Sequence, residues 1–170
     1  MPRIFWPVLA ATLAAWLSMN FWTVPRIEET AGGLRLLDMR FTGYSYSDVR
    51  DFVAAIGEEG TSLYLGAQYW LDMLFPPLLG VVIFLFFRWL FPGLPGLTIG
   101  TISLSYVAAD ILENLAIAAM LRAGAGGLTP QMAAKASQWT TFKWGFALLG
   151  LVMMLIGIAL RLRRRFSAAT

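Results

Sequence analysis

Ten residues of the chain are acidic, and seven of them fall between Pro25 and Leu63. The other three, Asp72, Asp110 and Glu113, stand in stretches that are otherwise apolar, as does Lys143. On insertion scales an ionised group at the centre of a lipid-embedded helix costs about 2.5–3.5 kcal/mol. Four of them therefore call for pairing, protonation or a purpose. Carboxylates and an ammonium in such a place can hold a cation, relay a proton, grip a polar headgroup or act as general acid and base.

Spacing sharpens the point. Asp110, Glu113 and Asn114 stand at i, i+3 and i+4 and share one helix face, which Ser103 and Tyr106 extend. Gln68, Tyr69, Asp72, Pro76 and Gly80 make a second stripe of polar and small residues, and Lys143, Ala147, Gly150, Met154 and Gly157 a third. Three helices turning these stripes inward would gather Asp72, Asp110, Glu113 and Lys143 into one pocket, with Asn114, Gln68, Tyr69 and Tyr106 around it. These eight are the candidate ligand-binding residues. Three carboxylates against one ammonium leave an excess of acid, to be balanced by a proton, a bound cation or a connector arginine such as Arg26 or Arg40. The competing reading is a buried ion pair between Lys143 and one carboxylate that only fixes helix register.

The chain has no cysteine and no histidine. Disulfide and thiol chemistry, His-ligated haem and His-box diiron chemistry are therefore outside what it can supply alone. No catalytic residue, metal-ligand set or cofactor is predicted, and carboxylates, Lys, Arg, Tyr, Ser and Thr must do any chemistry. No basic, aromatic-interleaved surface points to nucleic acid.

These side chains must be positioned by helices in lipid. Of the 170 residues, 58% are hydrophobic and 14% charged, more apolar surface than a soluble core of this size can use. Several stretches stay apolar on every face for about 20 residues, the length that crosses a bilayer. The predicted fold is an all-α membrane protein. Residues 1–170 make a single membrane domain, a four-transmembrane-helix bundle with a long polar first connector containing a short amphipathic helix. The spans run over about 4–24, 64–90, 97–121 and 142–160, with the connector at 25–63 and a basic tail at 161–170. The first span reads as a retained helix, because it is longer than a signal h-region and no small-residue cleavage site follows it. Its Ala10, Ala11, Ala14, Ala15 and Ser18 suggest a close-packing face. Pro76 and Pro77 predict a kink in the second span. The stiff turn Phe91-Pro92-Gly93-Leu94-Pro95-Gly96 makes spans two and three antiparallel neighbours, and Ala123–Thr129 reads as a Gly-rich connector.

In the first connector four arginines face seven acids, a net charge of −3. Ser45 and Asp48 have capping-box spacing and precede Val49, Phe52, Val53 and Ile56 at helical intervals, which predicts a short helix on the membrane surface or the bundle mouth. Leu34–Phe41 reads as a short strand. The tail Arg161-Leu162-Arg163-Arg164-Arg165 places both termini in the cytoplasm and the acidic connector outside, consistent with a bacterial cytoplasmic (inner) membrane. The layout resembles that of claudin-like tetraspan proteins, but their paired connector cysteines are absent, and no family is assigned.

The leading functional expectation is a multi-pass membrane protein whose carboxylate/lysine site binds or transports a small solute, a proton or cation, or a lipid headgroup. An accessory or assembly subunit of a larger membrane complex and a cofactor-free lipid-modifying enzyme are the alternatives. Expected partners are the lipid bilayer, a small solute or lipid ligand, and a membrane-protein partner or second copy of the chain.

Overall fold

The computed structural model describes residues 1–167; the last three residues of the basic tail, 168–170, lie outside the described residues. The protein is 87% helical, and no strand occurs among the described residues. Helix α1 (Phe5–Ser18) passes through a π-helical turn, Met19–Thr23, into α2 (Val24–Thr30). After the connector helix α3 (Tyr46–Ala55), α4 (Gly57–Leu63) passes through a second π-turn, Tyr64–Gln68, into α5 (Tyr69–Leu90). The long helices α6 (Leu94–Gly127) and α7 (Pro130–Ser167) complete the chain. Phe5–Thr30, Gly57–Leu90, Leu94–Gly127 and Pro130–Arg163 are four rods long and apolar enough to cross a membrane. The chain is an integral membrane protein built as an all-α four-helix bundle.

Helix α5 packs along α6, α6 along α7, and α1 along α5, whereas α1 and α7 form no extended contact. The α5–α6 hairpin is tight because Gly96 lies against the carbonyl oxygens of Phe91 and Phe87, where no side chain would fit. At the other end of the bundle the polar connector folds into a cap. Gly32 and Gly33 take positive φ and turn the chain out of α2, and Leu37–Met39 forms a single 3-10 turn. Val49, Phe52 and Ile56 from the α3 segment join Leu36 and Leu37 in a core against Ile117, Met120 and Leu121 of α6 and Ala133 and Ala136 of α7. The amphipathic connector helix thus sits on the bundle mouth.

Ser45 starts α3 as the sequence predicts. Its hydroxyl accepts from the Asp48 amide, and the Asp48 carboxylate accepts from the Ser45 amide at 2.7 Å. Those bonds from the Ser45 hydroxyl and amide hold the Asp48 carboxyl below its usual range. A carboxyl depressed on folding contributes stability above its unfolded value of about 3.9 and loses it as pH falls through the folded value. Amides at the start of α3 should therefore exchange faster below about pH 4, and Ser45→Ala should produce the same loosening at neutral pH. Unchanged exchange in that variant would show that the capping box does not hold the start of α3.

Several expectations are corrected. Leu34–Phe41 holds no strand: Leu36 and Leu37 both face the cap core, which a 3-10 turn permits and strand alternation forbids. Only Ala15 of the small-residue face is buried. Helix α1 packs instead through Phe5, Thr12, Ala15 and Met19, a narrow strip at helical spacing that leans on α5. The backbone stays α-helical across Pro76 and Pro77, and the departure from helical dihedrals in that rod is at Gly66 (φ −97°, ψ −105°). The Gly-rich segment is helical to Gly127, broken at Gly124 (φ 60°), and the fourth rod begins at Pro130, well before the expected start of its span near 142.

Candidate functional site

The three stripes meet directly beneath the cap. On α6, Asp110 and Glu113 turn the same way, and α7 brings Lys143 between them: Nζ lies 2.5 Å from Glu113 Oε2 and 3.6 Å from Asp110 Oδ1. All three side chains are buried, Glu113 completely. Lys143 Nζ and the Thr140 hydroxyl, one turn earlier on α7, are the donors beside the Glu113 carboxylate. The Thr140 hydroxyl also has the Ala136 carbonyl within reach at 3.2 Å. A fully buried carboxylate that shares its one ammonium with a second carboxylate is costly to keep.

A residue from the cap completes the cluster. The 3-10 turn drops Asp38 onto the bundle axis, where its carbonyl accepts from Lys143 Nζ at 3.2 Å and Trp144 Nε1 at 3.0 Å, and its Oδ1 accepts from the Tyr64 hydroxyl at 3.2 Å. Lys143 also lies 5.4 Å from the centre of the Trp144 ring. Tyr44 closes the side, its hydroxyl 3.4 Å from Thr140 Oγ1, and burial pushes that hydroxyl above its ordinary range. Asp38, Tyr44, Tyr64, Thr140 and Trp144 were not among the expected site residues. The one local hint for Asp38 is its three apolar neighbours, Leu36, Leu37 and Met39; the fold-back of the connector that buries it is not written in that stretch.

Asp72 approaches from α5, within electrostatic reach of Asp38, Asp110 and Lys143. Its Oδ2 accepts from Gln68 Nε2 at 2.6 Å, and Gln68 is bonded to Thr23. The two π-turns lie side by side and place Thr23 and Gln68 face to face. A π-turn adds a residue to the helical turn and so rotates the remainder of the helix about its axis. Asn114 has a separate task. Pro76 lacks the N–H that would have bonded the Asp72 carbonyl, and Asn114 Nδ2 supplies that donor at 3.0 Å. Asn114→Leu should cost about 1–3 kcal/mol through this orphaned carbonyl, read as a lower melting temperature in detergent. An unchanged melting temperature would show that water replaces the amide.

Tyr69 does not join the cluster. Its ring lies under the Arg122 guanidinium, 5.6 Å from the centroid. Tyr106 does join, facing Asp110 from one turn away. Neither arginine considered as a balancing charge reaches the site. Arg26 pairs with Glu29 and Glu59 at 2.8 Å each, and Arg40 with Asp48 at 3.6 Å. The balance is four carboxylates, Asp38, Asp72, Asp110 and Glu113, around one lysine. Among the described residues no three metal-ligating side chains converge; the Lys143 ammonium occupies the centre that a cation would take. Chemically, the arrangement is a buried, acid-rich cluster suited to a proton or to a hydrogen-bond-donating group, an organic ammonium included, rather than to a bare metal cation at its centre. No known protein family, no curated protein and no solved structure matches the chain.

Proposed function

We propose that the chain is a multi-pass membrane protein whose carboxylate–lysine cluster binds the cationic or hydrogen-bond-donating part of a small solute or lipid, under a cap that keeps water out. The observation that carries this reading is the excess of acid: Glu113, wholly buried, shares the single Lys143 ammonium with Asp110, and Asp38 and Asp72 lie within electrostatic reach. A cluster that served only helix register would gain by losing the surplus carboxylates, since apolar packing of similar volume is often as stable as a buried ion pair. Depth supports the same reading. Arg161 follows Lys143 by 18 residues, about 27 Å of helix, and its guanidinium stacks on Trp89 at 3.9 Å. That span is close to the roughly 30 Å of a hydrocarbon core, so the cluster falls at one boundary of the membrane with the cap above it. The arginine-rich end supports cytoplasmic termini and a cap on the outer face of a bacterial inner membrane.

Native mass spectrometry of protein released from nanodiscs tests the reading. Wild type should carry a small non-protein mass that Asp110→Asn loses while still inserting and melting as before. Retention of the same mass by both proteins would contradict it. Isolation with another polypeptide and no small molecule would favour the accessory-subunit alternative.

A further inference from the structure

Below the cluster the bundle is not filled. A cavity of about 640 Å³ extends from Tyr106 and Trp144 toward the end of the protein opposite the cap, and its walls include Phe5, Phe86, Gly150 and Met154. Its size falls within the roughly 300–1,000 Å³ range of small-molecule sites. The walls come from α1, α5, α6 and α7, and because α1 and α7 form no extended contact, the side between them faces the lipid. The walls are overwhelmingly apolar. Of the polar groups they carry, the Ser103 hydroxyl is spent on the Ile99 carbonyl at 2.8 Å and the Trp144 indole N–H on the Asp38 carbonyl at 3.0 Å. Trp16 adds an indole N–H from α1. Tyr106 is shared: it lines the cavity and faces Asp110.

We propose that this cavity takes the hydrocarbon tail of a single-chain cationic amphiphile drawn sideways from the bilayer, with its amine seated at Tyr106 and Asp110. The inference rests on the binding role of the cluster and names its ligand class. The tail follows from the apolar walls and the lipid-facing side, and a single chain from the limited volume. The amine follows from charge and from hydrogen-bond inventory. Four carboxylates stand near one lysine above the cavity, and the donors of α6 and α7 at that end, the Tyr106 hydroxyl and the Trp144 indole, are turned to Asp110 and Asp38, so a head seated there must bring donors of its own. A phosphate or sulfate head would meet acceptors and like charge.

The probe is hexadecylamine carrying a mid-chain diazirine, with the matching hexadecanol as control, in nanodiscs of phosphatidylcholine and the full chain. After irradiation, peptide mapping should place amine-probe adducts on cavity residues such as Phe86 and Met154. Gly150, with open space beside it, is the position to fill. Gly150→Trp should lower those adducts by at least about tenfold, a loss of some 1.4 kcal/mol in binding. Ala147→Leu serves as a milder second variant should the tryptophan impair folding. Unlabelled hexadecylamine should compete better than hexadecanol, and Asp110→Asn should erase that preference while cavity adducts persist. Adducts scattered over lipid-facing residues such as Leu148 and Leu155, insensitive to filling, would overturn the cavity proposal and leave the cluster's binding role standing. Cavity adducts with no preference for amine over alcohol in the wild type, unchanged by Asp110→Asn, would overturn both.

Discussion

Lys143→Met lowers the unfolding free energy by about 3–5 kcal/mol, the range for removing one partner of a buried ion pair. The variant strands Glu113 and Asp110 without their shared cation and takes the Lys143 donor from the Asp38 carbonyl. Methionine matches the stem of lysine in length and packs well, so little of the loss comes from volume. Adding Glu113→Gln to Lys143→Met removes one of the two charges that would otherwise be buried unpaired and should restore part of the stability. The non-additivity is the informative quantity, because residues in contact depart from additivity by about 0.5–3 kcal/mol. Denaturation in mixed micelles measures all three variants. A single-variant loss under about 1 kcal/mol would mean that the ammonium is solvated in the native protein, as an exposed pair would be.

Phe52→Ala is the second large effect, about 3–5 kcal/mol for an aromatic removed from a packed core. Phe52 is fully buried, edge-on to Tyr64 with ring centroids 6.4 Å apart, and Tyr64 is the residue whose hydroxyl holds the Asp38 carboxylate. Emptying that position should therefore loosen the cap and the seat of Asp38 together. Hydrogen exchange is the readout: amides of residues 36–56 should exchange faster while the far ends of α5, α6 and α7 keep their protection. Uniform acceleration along the whole chain would show that cap and bundle unfold as one unit.

The bundle and the heart of the site were legible in the sequence for one physical reason. Lipid tolerates few charges, so Asp72, Asp110, Glu113 and Lys143 stood out against apolar runs, and helical spacing then gave the faces they share. Asp38 was hidden by the opposite circumstance, being one acid among seven in a segment where acids are unremarkable. Its burial depends on the connector folding back as a cap, a long-range event that no local periodicity encodes. Tyr69 was misplaced because it is adjacent to Gln68, and neighbours on a helix point about 100° apart. Gln68 faces Thr23 and Asp72, and Tyr69 turns toward Arg122. The π-turns at Met19–Thr23 and Tyr64–Gln68 were equally hidden, since hydrophobic pattern reports a regular period and a one-residue insertion barely disturbs it. At the prolines the sequence shows the lost hydrogen bond but not its replacement: the dihedrals stay α-helical, and the Asp72 carbonyl that Pro76 cannot bond accepts from Asn114 on the neighbouring helix.

Whether the cluster binds something or only holds helices together decides what the protein is for. The most direct measurement is the small-molecule mass retained by the triple variant, Lys143→Met with Asp110→Asn and Glu113→Gln, in native mass spectrometry beside wild type. A binding role predicts a triple variant that folds and carries nothing. A triple variant that folds and still carries the wild-type mass would contradict it and leave the cluster as an internal brace.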